Sequence, residues 1–131
     1  MSQDNVDMVR KVFDRWSEGD FRAGVDLFDP HVVLILRPGF PDGGAYHGPE
    51  GVATYMRGFL EAWTHVTMKA EELIEAGDSV LVHVIQRGVG DASGVETELR
   101  YFQLWTFRGG KVIRLESIRD RAEALEAAGL S

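Results

Sequence analysis

VETELRYFQLWTFRGGKVIRLESIR, spanning Val95 to Arg119, reads as two long strands joined by the tight Arg108-Gly109-Gly110-Lys111 turn. Leu99, Tyr101, Gln103, Trp105 and Phe107 fall on one side of a period-two strand, and Ile113, Leu115, Ser117 and Arg119 can continue that side on the next. An apolar wall broken by a few polar heads suits a small-molecule pocket. The same alternation arises when the face is plain core and Gln103 is bonded internally.

Working outward, Val6, Val9, Phe13 and Trp16 recur at helical spacing, with Asp4 placed to cap the first turn and Gly19 to close the last. Asp20 then opens a short second helix carrying Phe21, Val25 and Leu27, stopped by Asp29-Pro30 before the β-branched run Val32 to Leu36. Two prolines and four glycines between Pro38 and Gly48 predict a long surface loop, a candidate lid. Pro49 suits a first helical position, and Val52, Tyr55, Met56, Phe59, Leu60 and Trp63 form the apolar stripe of a third helix. Strands near Val66–Ala76, Ser79–Gly88, Val95–Arg108 and Lys111–Ile118 follow as an antiparallel meander. Asp120 caps a short final helix through Ala122, Ala124, Leu125 and Ala127, which Gly129 ends.

A chain of 131 residues that is 44% hydrophobic suffices for one domain with one core. Its formal charge of -7 repels phosphate backbones and anionic membrane surfaces, so neither nucleic acid nor a membrane is an expected partner. Without cysteine there is no disulfide or thiolate chemistry. The polar start Met1 to Asn5 lacks a signal-peptide layout, and no apolar run approaches the roughly 20 residues that span a bilayer. Cytoplasmic residence is the expectation.

Three short motifs carry a family resemblance: Trp16 to Asp20 with Leu27-Phe28-Asp29-Pro30, then Tyr46-His47-Gly48-Pro49-Glu50-Gly51-Val52, then Val95 to Arg119. In order and spacing they resemble the SnoaL-like and ketosteroid-isomerase-like members of the nuclear transport factor two superfamily, from about Asn5 to the end. The resemblance implies one domain over residues 1–131 with an α+β fold: a cone-shaped barrel whose curved, mostly antiparallel sheet wraps three N-terminal helices, plus a short C-terminal helix. It does not settle an activity, because this superfamily spans isomerases, cyclases, epoxide hydrolases, dehydratases and transport adaptors.

The isomerase chemistry that the resemblance would bring is not matched residue by residue. Its base is an aspartate before a proline at the end of the first strand, where this chain has Arg37 before Pro38. Its tyrosine falls near Val12 and its protonated aspartate near Gln103. Steroid isomerisation is therefore not expected. The aspartate-arginine-aspartate set of limonene-epoxide-hydrolase-like members is also missing from the inner face, and Ser117 and Gln103 substitute poorly for the acid-base pair of the polyketide cyclases. An uncharacterised SnoaL-like branch is the best match.

Arg37, Gln86, Gln103, Ser117 and Arg119 remain as polar groups of the expected pocket, among Trp16, Tyr55, Phe59, Trp63, Tyr101 and Trp105. Arginine stays charged and makes a poor proton acceptor, so Arg37 and Gln103 are candidates to polarise an oxygen. His47, at the end of the glycine-rich loop, is the candidate base. Arg37 can instead pair with Asp42 or another loop acid, Arg119 can form a solvated salt bridge beside Asp120, and His47 can simply be exposed. His31 and His65, the latter ending the third helix, read as structural. His83 shares the parity of Leu81 and Ile85, away from the pocket. No histidine pair has metal-ligand spacing, and neither a metal nor a cofactor is expected.

If Gln103 points in, Phe102 and Leu104 point out beside Leu81 and His83. A sheet with apolar groups on both faces must cover both, so a homodimer through this outer face is the expectation, with a strand bulge as the alternative. Three functions fit: an isomerase, cyclase or dehydratase acting on an apolar carbonyl compound, a non-catalytic binder of a small apolar metabolite, or a dimeric interaction module with a vestigial pocket.

Overall fold

Val6, Val9, Phe13 and Trp16 line up on one side of helix α1 (Ser2–Trp16) and are all buried, as their spacing requires. The computed structural model describes residues 2–41 and 43–130. After α1 the chain turns, and the Trp16 indole donates to the Ala23 carbonyl at 3.1 Å. The expected second helix shrinks to one 3₁₀ turn, Val25–Leu27, because Gly24 in a left-handed conformation interrupts it.

Strand β1 (Phe28–Leu36) starts before Pro30, earlier than the sequence suggests, and β2 (Gly44–His47) pairs antiparallel with it. The glycine-rich stretch is therefore a short loop followed by an edge strand, since β1 offers Gly44–His47 a ladder that local propensity does not reveal. Helix α2 (Gly48–Ala62) follows, with Pro49 in its first turn and Val52 and Phe59 buried. It ends one residue short of Trp63, which already has extended geometry and opens β3 (Trp63–Ala76). His65 does not end a helix. It lies in a β3 irregularity with a φ of 57°, and across from it β4 (Ser79–Gly90) packs so closely that a Cβ on Gly88 would meet the Trp63 ring at 3.0 Å and Val66 Cα at 3.2 Å.

Strands β5 (Glu96–Arg108) and β6 (Lys111–Ile118) form the hairpin read from Gly109-Gly110, and α3 (Arg121–Ala127) closes the described fold with the Asp120 carboxylate accepting from the Glu123 amide at 2.9 Å. The curved, open sheet runs β2-β1-β6-β5-β4-β3, antiparallel except between β1 and β6. A register shift at Thr106/Phe107 sets Phe107 opposite Val112, so Val112 rather than Ile113 joins the inner core. Leu115 and Ser117 keep the expected face.

The outer face corrects the reason for expecting a dimer. Leu81, Phe102, Leu104 and Ile118 are buried beneath α3 of the same chain, where Ala124 has no exposed surface. His83 stacks on Phe102 with ring centroids 4.7 Å apart, and the Arg121 guanidinium lies 5.6 Å over the same ring. The patch Leu81, His83, Phe102 and Leu104 thus needs no second chain. Farther along this face Glu98 bridges Arg87 and Arg100, and Arg100 reaches Glu71. No helix among the described residues is long and apolar enough to cross a membrane.

Candidate functional site

The concave side of the sheet does not fill completely. Between it, the end of α1, the turn after α1 and α2 lies a cavity of about 600 Å³. Of the expected pocket residues, Trp16, Tyr55 and Phe59 line its helical side, and Trp63, Gln86, Tyr101, Gln103 and Ser117 line its sheet side. Leu99 lines it as the alternation along β5 predicts, and Phe40 and Met68, which the sequence reading does not place there, line it too. Phe40 carries no periodic signal because it sits in a loop, yet its ring meets Tyr101 edge-on at 5.2 Å.

Arg37, His47, Trp105 and Arg119 do not line the cavity. Leu36 ends the inward-facing row of β1, so Arg37 turns to the other side and donates to Glu116, opposite Leu104 on the outer face. Asp42, the partner considered from sequence, lies outside the described residues. His47 pairs in register with Val33, while the inward residues of β1 are Val32 and Leu34; its imidazole is accordingly exposed on the outer side. Arg119 is exposed, donates to the Gly39 carbonyl at 3.2 Å and lies 5.7 Å over the Phe40 ring, so it steadies the loop that carries Phe40.

Trp105 has no exposed surface and acts from behind the cavity wall: its indole N–H donates to Gln103 Oε1 at 3.0 Å. An indole nitrogen can only donate, so this bond orients the Gln103 amide and leaves its NH₂ end for the cavity side. The Tyr101 hydroxyl donates to Gln86 Oε1 at 2.7 Å and lies 3.7 Å from Met68 Sδ. Burial pushes the Tyr101 phenol far above its ordinary value, Tyr55 adds to the rise, and a hydrogen bond from Gln103 opposes it. The phenol stays neutral at any physiological pH. With each amide oxygen accepting a bond and one Gln103 N–H directed to the Tyr101 oxygen, the Gln86 NH₂ and the second Gln103 N–H are the donors that this buried end can offer.

The open end differs. Asp20, Arg22 and Arg57 line it together with Val25 and Leu60. The Asp20 carboxylate is engaged by the Arg15 guanidinium and by the Arg22 backbone N–H. Among the described residues, no three histidine or carboxylate side chains converge as a metal site requires.

A curved six-stranded sheet folded over helices around an apolar cavity is the nuclear transport factor two-like architecture. The chain belongs to the SnoaL-like domain family, whose model matches residues 9–115. Among solved structures it resembles a nuclear transport factor two-like protein from Burkholderia thailandensis E264, at 24% identity and a TM-score of 0.78, with 95% of each chain covered. A protein described as a candidate SnoaL-like polyketide cyclase from Jannaschia sp. CCS1 shares 21% identity at a TM-score of 0.75, covering 97% of this chain and 92% of the other. TerC, co-crystallised with polyporic acid, shares 22% identity at a TM-score of 0.75, covering 95% and 98%. At these identities the likeness establishes the fold alone. No curated protein matches the chain by sequence.

Proposed function

We propose that this chain binds a compact, flat, apolar compound carrying a carbonyl or hydroxyl oxygen and polarises that oxygen with the amides of Gln86 and Gln103. The observation that carries this reading is the Trp105 indole donating to Gln103 Oε1, which turns the NH₂ end of the amide toward the cavity, where the N–H not bonded to Tyr101 serves as the donor. Donors fixed in a water-poor site need no reorganisation as negative charge develops on a bound oxygen. For turnover, this arrangement suits isomerisation, cyclisation or dehydration of an apolar carbonyl compound, with Gln103 as the polarising group and the proton acceptor belonging to the ligand. Arg37 and His47 have no part in it. Binding without turnover is the second reading, favoured because the buried end of the cavity is lined by amides and a phenol and by no histidine or carboxylate among the described residues.

A matched pair tests the proposal: 1-tetralone and tetralin, a bicyclic ketone and its hydrocarbon, each displacing the neutral fluorophore N-phenyl-1-naphthylamine from the cavity. One neutral hydrogen bond contributes about 1 kcal/mol, so the ketone should bind about fivefold more tightly. Gln86→Leu and Gln103→Leu should each reduce that advantage while leaving tetralin unchanged. Equal binding of ketone and hydrocarbon to the wild-type chain would sink the reading. Polyporic acid, taken from the TerC structure, is a larger probe for the same measurement.

A further inference from the structure

The cavity is graded from end to end. Its inner end holds Gln86, Tyr101 and Gln103, each about 95% buried, and its lining is otherwise largely apolar. At the opening stand two arginines, Arg22 on the turn after α1 and Arg57 on α2, both exposed. Neither guanidinium forms an ion pair among the described residues. Asp20, the one acid lining the cavity among the described residues, is no substitute partner, because Arg15 engages its carboxylate. Val25 and Leu60, exposed by 60% and 45%, share this rim and make up two of the four large apolar side chains left exposed in the described fold.

A chain of net charge -7 repels anions at long range, so two cations without an ion pair among the described residues, at the mouth of its apolar cavity, mark a place where an anionic group can be held. Resting on the pocket reading above, we infer that the ligand is an amphipathic organic anion: an acceptor oxygen at the inner end, an apolar body, and an anionic group held at the opening by Arg22 and Arg57. The rim apolar groups Val25 and Leu60 then cover the part of the body that emerges beside the charge. Arginine suits this position because its guanidinium meets a carboxylate or a phosphate with paired donors.

Two dyes that differ by one charged group test the inference directly. 8-Anilino-1-naphthalenesulfonate carries a sulfonate that N-phenyl-1-naphthylamine lacks, and fluorescence titration measures both on the full chain. Exposed charge contacts are weak, about threefold each, so the Arg22→Gln/Arg57→Gln double variant should bind the sulfonate about tenfold more weakly and the neutral dye within twofold of wild type. Raising the ionic strength should weaken sulfonate binding to the wild-type chain more than to the variant. Displacement of the sulfonate by 2-naphthoate but not 2-naphthyl phosphate would assign the natural anion to the carboxylates, the reverse result to the phosphates, and displacement by neither would overturn the inference. Equal losses of both dyes in the double variant, or no loss of the sulfonate, would overturn it too. If the neutral dye fails to bind the wild-type chain, the pocket reading itself falls, whereas normal neutral-dye binding with an unaffected sulfonate removes only the role of the rim.

Discussion

Replacing Arg37 with methionine separates a structural from a ligand-binding role for the arginine that ends the inward-facing row of β1. Its partner Glu116 has a side chain only 6% exposed, while Arg37 is 31% and Arg114, 3.3 Å from the same carboxylate, is 51% exposed. Removing one partner of a fully buried pair costs about 3–5 kcal/mol, and an exposed pair contributes about 0–1 kcal/mol. With Glu116 buried, Arg37 one-third exposed and Arg114 still present, Arg37→Met should cost about 2 kcal/mol. Unfolding entropy of about 2.1 cal/mol/K per residue over 131 residues turns this into a fall in Tm of about 7 °C. Urea and thermal unfolding of Arg37→Met, Glu116→Gln and the double variant should show the two changes to be strongly non-additive, because Glu116→Gln removes the charge that Arg37→Met strands. The affinity for the sulfonate dye should not change, since Arg37 does not line the cavity. A variant of wild-type stability that loses acidic ligands selectively would refute the outer-face assignment and return Arg37 to the pocket.

Two further outcomes follow from the buried interior and the covered outer face. Because burial raises the Tyr101 phenol above its ordinary 10.0, its stabilising contribution is fully present below pH 10 and is lost as pH rises beyond it, while the unfolded phenol ionises and the folded one does not. Near-ultraviolet absorbance during alkaline titration should show one of the three tyrosines ionising only as the fold is lost, and early ionisation of all three in the native state would contradict this. Leu104→Lys would place an unpaired charge beneath α3, at a cost of several kcal/mol. Unfolding of this variant should be independent of protein concentration; a stable, folded monomer formed from a wild-type dimer on sedimentation would instead show that the patch faces a second chain.

Much of the fold was legible because it rests on local regularities. The stripe from Val52 to Phe59 predicted α2, and alternation along β5 put Tyr101, Gln103 and Trp105 on one face, since neither inference needs a distant part of the chain. The polar centre of the cavity was legible for the same reason. The glycines and prolines of Pro38 to Gly48 predict a loop throughout, but at Gly44–His47 pairing with β1 overrides weak strand propensity.

The sequence does not reveal the outward turn of Arg37, because its partner Glu116 is 79 positions away and arrives only through the parallel β1–β6 pairing. Ile113 leaves the inner face because the Thr106/Phe107 irregularity shifts the register, which period-two counting cannot detect. Nothing along the sequence connects Arg22 with Arg57; they line one cavity only because the turn after α1 and helix α2 come together in the fold. The final helix was readable from its Asp120 cap, but its position over Leu81, Phe102 and Leu104 was not. Short-range backbone and side-chain preferences therefore make the elements and their faces readable along the chain, whereas strand partners, bulge register and the surface that a terminal helix covers depend on contacts between distant segments and exist only once the sheet has assembled.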